Sequence, residues 1–165
     1  MRYGAAILLL VLLAAGRAEA QNSIAHDGWE GFATRDPQGA FDRCVLYNRS
    51  IAAISVTPYD MLGISRDRAG RVGLLVFYNP RTLVRETHVP VTLKIDDNAP
   101  ITASGRVVSD FHISIDGPLE PPLLAQLRAA KRVTATAEGH SIGFDVSDVA
   151  GVLQALTACV QANAH

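Results

Sequence analysis

The chain has two cysteines, Cys44 and Cys159, and whether they join decides how it can fold. The answer depends on the compartment, which the N-terminus addresses. Arg2 precedes an unbroken apolar run, AAILLLVLLAA, over residues 5–15, followed by Gly16-Arg17-Ala18-Glu19-Ala20. Small side chains at Ala18 and Ala20 suit the narrow pocket of a signal peptidase, so residues 1–20 read as an export signal cleaved after Ala20. The run is too short to span a bilayer, which takes about 20 apolar residues, so no integral span is expected after cleavage. In an oxidising compartment an even pair of cysteines is normally joined. No C-x-x-C pair suggests redox chemistry instead. A Cys44–Cys159 bridge closing so long a loop would contribute at most about 4–5 kcal/mol in the chain-entropy model.

The remaining segment, 21–165, has room for one domain and enough length for a real core. Fifteen Lys and Arg stand against sixteen Asp and Glu, a formal net charge of −1. That balance lacks the basic excess needed to hold a phosphate backbone, so nucleic acid is a poor partner.

Hydrophobic alternation dominates the chain. Residues 21–27 are polar and read as loose, and 28–34 alternate as a first strand. Strands are then expected over 41–47, carrying Cys44, and 51–57, stopped by Pro58. The β pattern continues over 61–64. Residues 72–78 are apolar on both faces and should form a covered central strand. Residues 91–95 alternate strictly, 96–100 form a polar hairpin loop, and 101–108 and 111–115 are further strands. The period then changes. Pro121 and Pro122 can open a helix over 121–130, since the first turn has no use for their missing N–H groups. Residues 132–137 and 141–146 form a hairpin around Glu138-Gly139-His140. Ser147 or Asp148 then caps a final helix over 148–162, with Val149, Val152, Leu153, Leu156 and Val160 as its apolar stripe. Cys159 lies on that side, so the bridge would pin the helix to the second strand. The expected class is mainly β, antiparallel and sandwich-like, with two late helices; α+β is the alternative.

Candidate sites are few. Gly139-His140-Ser141-Ile142-Gly143 matches the G-x-S-x-G nucleophile elbow. That chemistry needs a strand-to-helix turn and a nearby imidazole, whereas Ser141 falls between two strands and only His165 follows it, so Ser141 is set aside. Asp96-Asp97-Asn98 offers hard oxygens for calcium but lacks the spacing of an EF-hand, and its residues suit a hairpin loop. His26, His88, His112, His140 and His165 form no ligand pair; His112 reads as a surface or edge residue. Asn48-Arg49-Ser50 fits a glycosylation acceptor, a pattern common by chance. Arg66, Arg68, Arg71, Arg81 and Arg85 would make a modest basic patch if their loops shared one end of the domain. No motif calls for a metal or cofactor.

The export signal, early Trp29, Cys44 in the second strand, the 91–96 strand ending in an Ile-Asp turn, and the 123–128 helix followed by strand 133–137 resemble the invasion-associated locus B family of exported bacterial proteins. The resemblance implies a periplasmic or surface-associated β-sandwich without known enzyme activity, in a family linked to host-cell invasion. The expected function is therefore a non-catalytic exported binding module whose partner is an envelope or secreted protein. The alternatives are a small secreted hydrolase using Ser141 and a secreted enzyme inhibitor presenting the 96–100 loop.

Overall fold

The structure, a computed structural model, describes residues 23–48, 60–78, 83–115 and 119–164. The expected signal segment, the strand over 51–57, Arg81 and His165 lie outside the described residues. The described residues form ten strands and two helices: β1 Ser23–His26, β2 Trp29–Arg35, β3 Phe41–Tyr47, β4 Met61–Asp67, β5 Val72–Phe77, β6 His88–Ile95, β7 Ile101–Ser109, β8 His112–Ile115, α1 Pro121–Ala129, β9 Arg132–Ala137, β10 His140–Asp145 and α2 Val149–Asn163. The mainly antiparallel β class with two late helices is as the sequence pattern implies.

The described strands form one continuous sheet in the order β1-β2-β3-β4-β5-β8-β7-β6-β9-β10, and every pairing is antiparallel. Inward residues from both halves of the sheet, such as Leu46, Ile64, Leu93 and Val133, share one core cluster with Leu127 of α1 and Leu156 of α2. Closing one sheet over one core in this way gives the sandwich-like burial expected from alternation.

Segment 21–27 departs from expectation: Ser23–His26 is a strand, where a loose segment was expected. It pairs with β2 through a two-residue turn in which Asp27 (φ 42°) and Gly28 (φ 79°) are both left-handed. Asp-Gly supplies that geometry cheaply, and its twist matches the flanking strands. Glu138 (φ 48°) and Gly139 (φ 78°) repeat the arrangement between β9 and β10. Pro90 lies inside β6, opposite Ser104 of β7. β9 pairs only with Thr92–Ile95, so the missing proline donor falls where β6 has no second neighbour.

Prolines open α1, and Arg128 sits in its last turn. Asp148 caps α2: its Oδ1 accepts from Gly151 N at 3.1 Å. Cys159 of α2 is bonded to Cys44 of β3, with Cα atoms 6.2 Å apart. The bridge pins the terminal helix to the sheet, where Cys44 is fully buried. Among the described residues no helix is long and apolar enough to cross a membrane.

Candidate functional site

Alternate residues of β3, β4, β5 and β8 face away from the main core, and the register sets them in rows. Arg43 lies opposite Asp67, and Val45 opposite Ser65, which in turn faces Gly73. Tyr47, Gly63, Leu75 and Ser114 follow across the four strands, with Met61, Phe77 and His112 as the next row. The middle of this outer face is apolar: Val45, Tyr47, Met61 and Leu75 form a second buried cluster, with Phe32 and Phe77 packed against it. Tyr47 meets Phe77 edge-on at 5.5 Å, and Phe77 stacks on His112 at 4.3 Å.

His112 therefore differs from the expected surface residue. Its Nε2 is buried without a hydrogen-bond partner. Burial, reinforced by the Arg106 and Arg43 charges, pushes its pKa down to about 4, so the ring is neutral at physiological pH. Burial likewise raises the Tyr47 phenol to about 12, partly opposed by Arg43.

At the end of the face nearest the β4–β5 turn the character changes. A hollow of about 150 Å³ is lined by Arg43, Ser65, Asp67, Arg71, Gly73 and Ser114 among others. A wider, more open hollow of about 350 Å³ adjoins it and shares Asp67 and Arg71, adding Asp36, Asp42 and Arg68. Formal charges balance across the two hollows, but their hydrogen-bonding roles do not. Asp36 Oδ1 accepts from Gln38 N at 2.9 Å and Ala40 N at 2.8 Å, closing the β2–β3 turn. Asp67 accepts from Arg71 N at 2.9 Å and from Arg71 Nε at 2.6 Å, closing the β4–β5 turn. Burial opposes ionisation of Asp67, but these donors outweigh it and hold the carboxyl below its usual range. Asp42 takes Arg43 Nε at 2.8 Å. Each acid is thus committed to the backbone or to a guanidinium Nε. The terminal nitrogens of Arg43 and Arg71 make no hydrogen bond among the described residues, and nor does Arg68 form an ion pair there. Planar guanidinium donors held from behind are suited to carboxylate or phosphate oxygens.

Of the five sequence-predicted arginines, Arg81 lies outside the described residues and the other four do not share one end. Arg68 and Arg71 border the hollows. Arg66 lies opposite Cys44 and Val72, which belong to the inner face, and its guanidinium packs beside Gly70. Arg85 lies past the far end of β5, where Leu83 N bonds Asp110 O and Glu86 N bonds Val107 O. Arg43, Ser65 and Ser114 escaped the sequence reading because cross-strand register alone brings them together. The one available signal was Arg43's parity, opposite in face to Cys44.

The other sequence candidates are accounted for locally. Ser141 Oγ accepts from Thr136 Oγ1 at 2.9 Å in the middle of a hairpin, with no helix following it directly. Asp96 accepts from Arg132 N at 2.8 Å and from Lys131 N at 3.1 Å, which ties the end of β6 to the α1–β9 corner and gives the carboxylate the structural loop role favoured over calcium. Among the described residues no group of three His, Cys, Asp or Glu side chains could hold a metal ion. Asn48 Oδ1 accepts from Leu62 N at 3.0 Å, extending the β3–β4 ladder.

No family model matches the chain, and no curated protein matches it by sequence. The fold is nevertheless shared with a solved protein. The crystal structure of invasion associated protein B from Bartonella henselae matches over 87% of this chain and 99% of its own length, with a TM-score of 0.53 and 15% identity. The chain thus has a distant invasion-associated-locus-B-like fold, in line with the resemblance drawn from the sequence.

Proposed function

We propose that the protein is an exported, non-catalytic binding domain of the cell envelope, and that it engages an acidic group of its partner at the Arg43–Arg71 hollow. The observation carrying this reading is that each neighbouring carboxylate is committed to a turn or to a guanidinium Nε, while the terminal N–H groups of both arginines remain available. The export-signal pattern at residues 1–20 and the long-range disulfide support the compartment. The fold shared with a protein named as invasion associated supports a role at the interface with a host.

The test is crosslinking in intact cells of the native host, with tagged wild type and an R43A/R71A variant compared side by side. A discrete adduct that the double substitution abolishes, with folding intact by circular dichroism, is the expected result. An adduct of equal yield in both would remove the hollow from the reading. Turnover of a substrate that depends on a single side chain would overturn the non-catalytic assignment.

A further inference from the structure

β10 ends the sheet, and among the described residues nothing pairs with its outer edge. Its hydrogen-bonding parity follows from the two-residue turn. In such a hairpin the residues flanking the turn, Ala137 and His140, form a narrow pair, so His140, Ile142 and Phe144 bond inward to β9. The next even-numbered residue conforms, Val146 N donating to Lys131 O at 2.8 Å. The N–H and C=O groups of Ser141, Gly143 and Asp145 therefore point out of the sheet, and all three residues are exposed.

Edges of this kind are normally blunted by brevity, bulges, proline or lysine. β1, at the other end of the sheet, is four residues long and is clipped to α2 through His26. β10 has none of these devices. It is six residues long, runs without a bulge, contains no Lys, Arg or Pro, and carries one acid at its end. At its centre Gly143 presents no side chain, and a Cβ there would find nothing closer than 3.9 Å.

We infer that β10 is a self-pairing edge, on which a second copy of this chain adds antiparallel about a two-fold axis through Gly143. The sequence is complementary to itself in that register. The outward groups of Gly143 meet their own counterparts. Ser141 of each copy faces Asp145 of the other, a hydroxyl donor opposite a carboxylate. Ile142 faces Phe144 on the inner side, an aromatic–β-branched pair. Shifting the axis to Asp145 sets that carboxylate against itself, and shifting it to Ser141 carries the second copy's pairing past the strand into the turn. The segment that resembles a nucleophile elbow is, on this reading, a docking strand in which glycine and serine keep the edge narrow and polar.

Sedimentation velocity of the oxidised protein across a concentration series tests this directly. A reversible monomer–dimer equilibrium is expected, and a monomer at every concentration up to about 1 mM would overturn the inference. G143P removes an outward N–H without touching the β9 ladder, and should abolish the dimer while leaving the circular dichroism of the monomer unchanged. S141D sets two carboxylates opposite each other at both ends of the pairing and should weaken the dimer about tenfold. The swap S141D/D145S restores the original pair with its members exchanged and should recover most of that loss. A dimer indifferent to S141D, or one not rescued by the swap, would place the contact elsewhere or in another register, even if G143P proved poorly folded. Because the readout is self-association and not partner capture, it stands apart from the test of the arginine hollow.

Discussion

His26 Nε2 and Asp148 Oδ2 lie 2.7 Å apart, joining the first described strand to the N-cap of the last helix. Trp29, three residues on, donates from Nε1 to Ser147 O at 3.2 Å, so both flanks of the β1–β2 turn are fastened to the same helix start. The hydrogen bond from His26, then that from Gly151 N, holds the Asp148 carboxyl below its usual range. A depressed carboxylate contributes stability above its unfolded pKa and loses it as pH falls through the folded value. Acidification through that window should therefore loosen β1 ahead of the core. Amide exchange of residues 23–26 against pH is the measurement, and D148N should show the loosened behaviour at neutral pH.

Gly151 gives the same clip a steric test. A Cβ on this residue would collide with His26 Nε2 and Asp148 Oδ2. Replacing a helical glycine with alanine ordinarily stabilises a helix by about 1 kcal/mol. Here G151A should instead lower the melting temperature, because the added methyl has to displace the clip. Pairing it with H26A should restore part of the gain expected from alanine.

His112 should impose a pH slope on stability. Its folded pKa, about 4, lies below the 6.5 of a free imidazole, so between these values the unfolded chain binds the proton that the folded one refuses. Stability should accordingly rise with pH from about 4 to 6.5, by at most about 3 kcal/mol from this group. H112F keeps a ring against Phe77 and removes the unpartnered Nε2. Urea midpoints at several pH values should show a flatter profile for H112F, together with a gain of about 1–2 kcal/mol at neutral pH.

Asp96 is expected to act as a corner cap. D96A strips the acceptor from Lys131 N and Arg132 N and should cost about 1–2 kcal/mol, read by thermal unfolding. Added calcium should leave the wild-type midpoint where it was; a calcium-dependent rise lost in D96A would reinstate a metal role.

Removing the long-range bridge by C44A/C159A should lower stability by up to about 4–5 kcal/mol, since the closed loop spans a sequence separation of 115. Guanidinium unfolding of the variant against the oxidised protein measures it. Reduction of the wild type should approach the same midpoint.

Local pattern carried much of this architecture. Alternation at 91–95, proline pairs before 123, and the i, i+3, i+4 stripe from Val149 to Val160 each express a backbone period, which a window of neighbours is enough to reveal. Cys44 and Cys159 could be matched because no other cysteine competes, and Asp148 could be named as a cap because capping is a first-turn interaction. The Asp27-Gly28 turn was equally local, yet the polar composition around it masked a strand of four residues. Register and strand order lay beyond local reading. β8 inserts between β5 and β7, Arg43 comes opposite Asp67, and Ser114 reaches the row of Leu75 and Gly63, all through hydrogen bonds between residues distant in sequence. A shift of one residue would send each of these side chains to the other face. The arginine hollow, the half-buried His112 and the open edge of β10 are consequences of that long-range pairing, whose energy depends on how whole strands meet and not on any window of the chain.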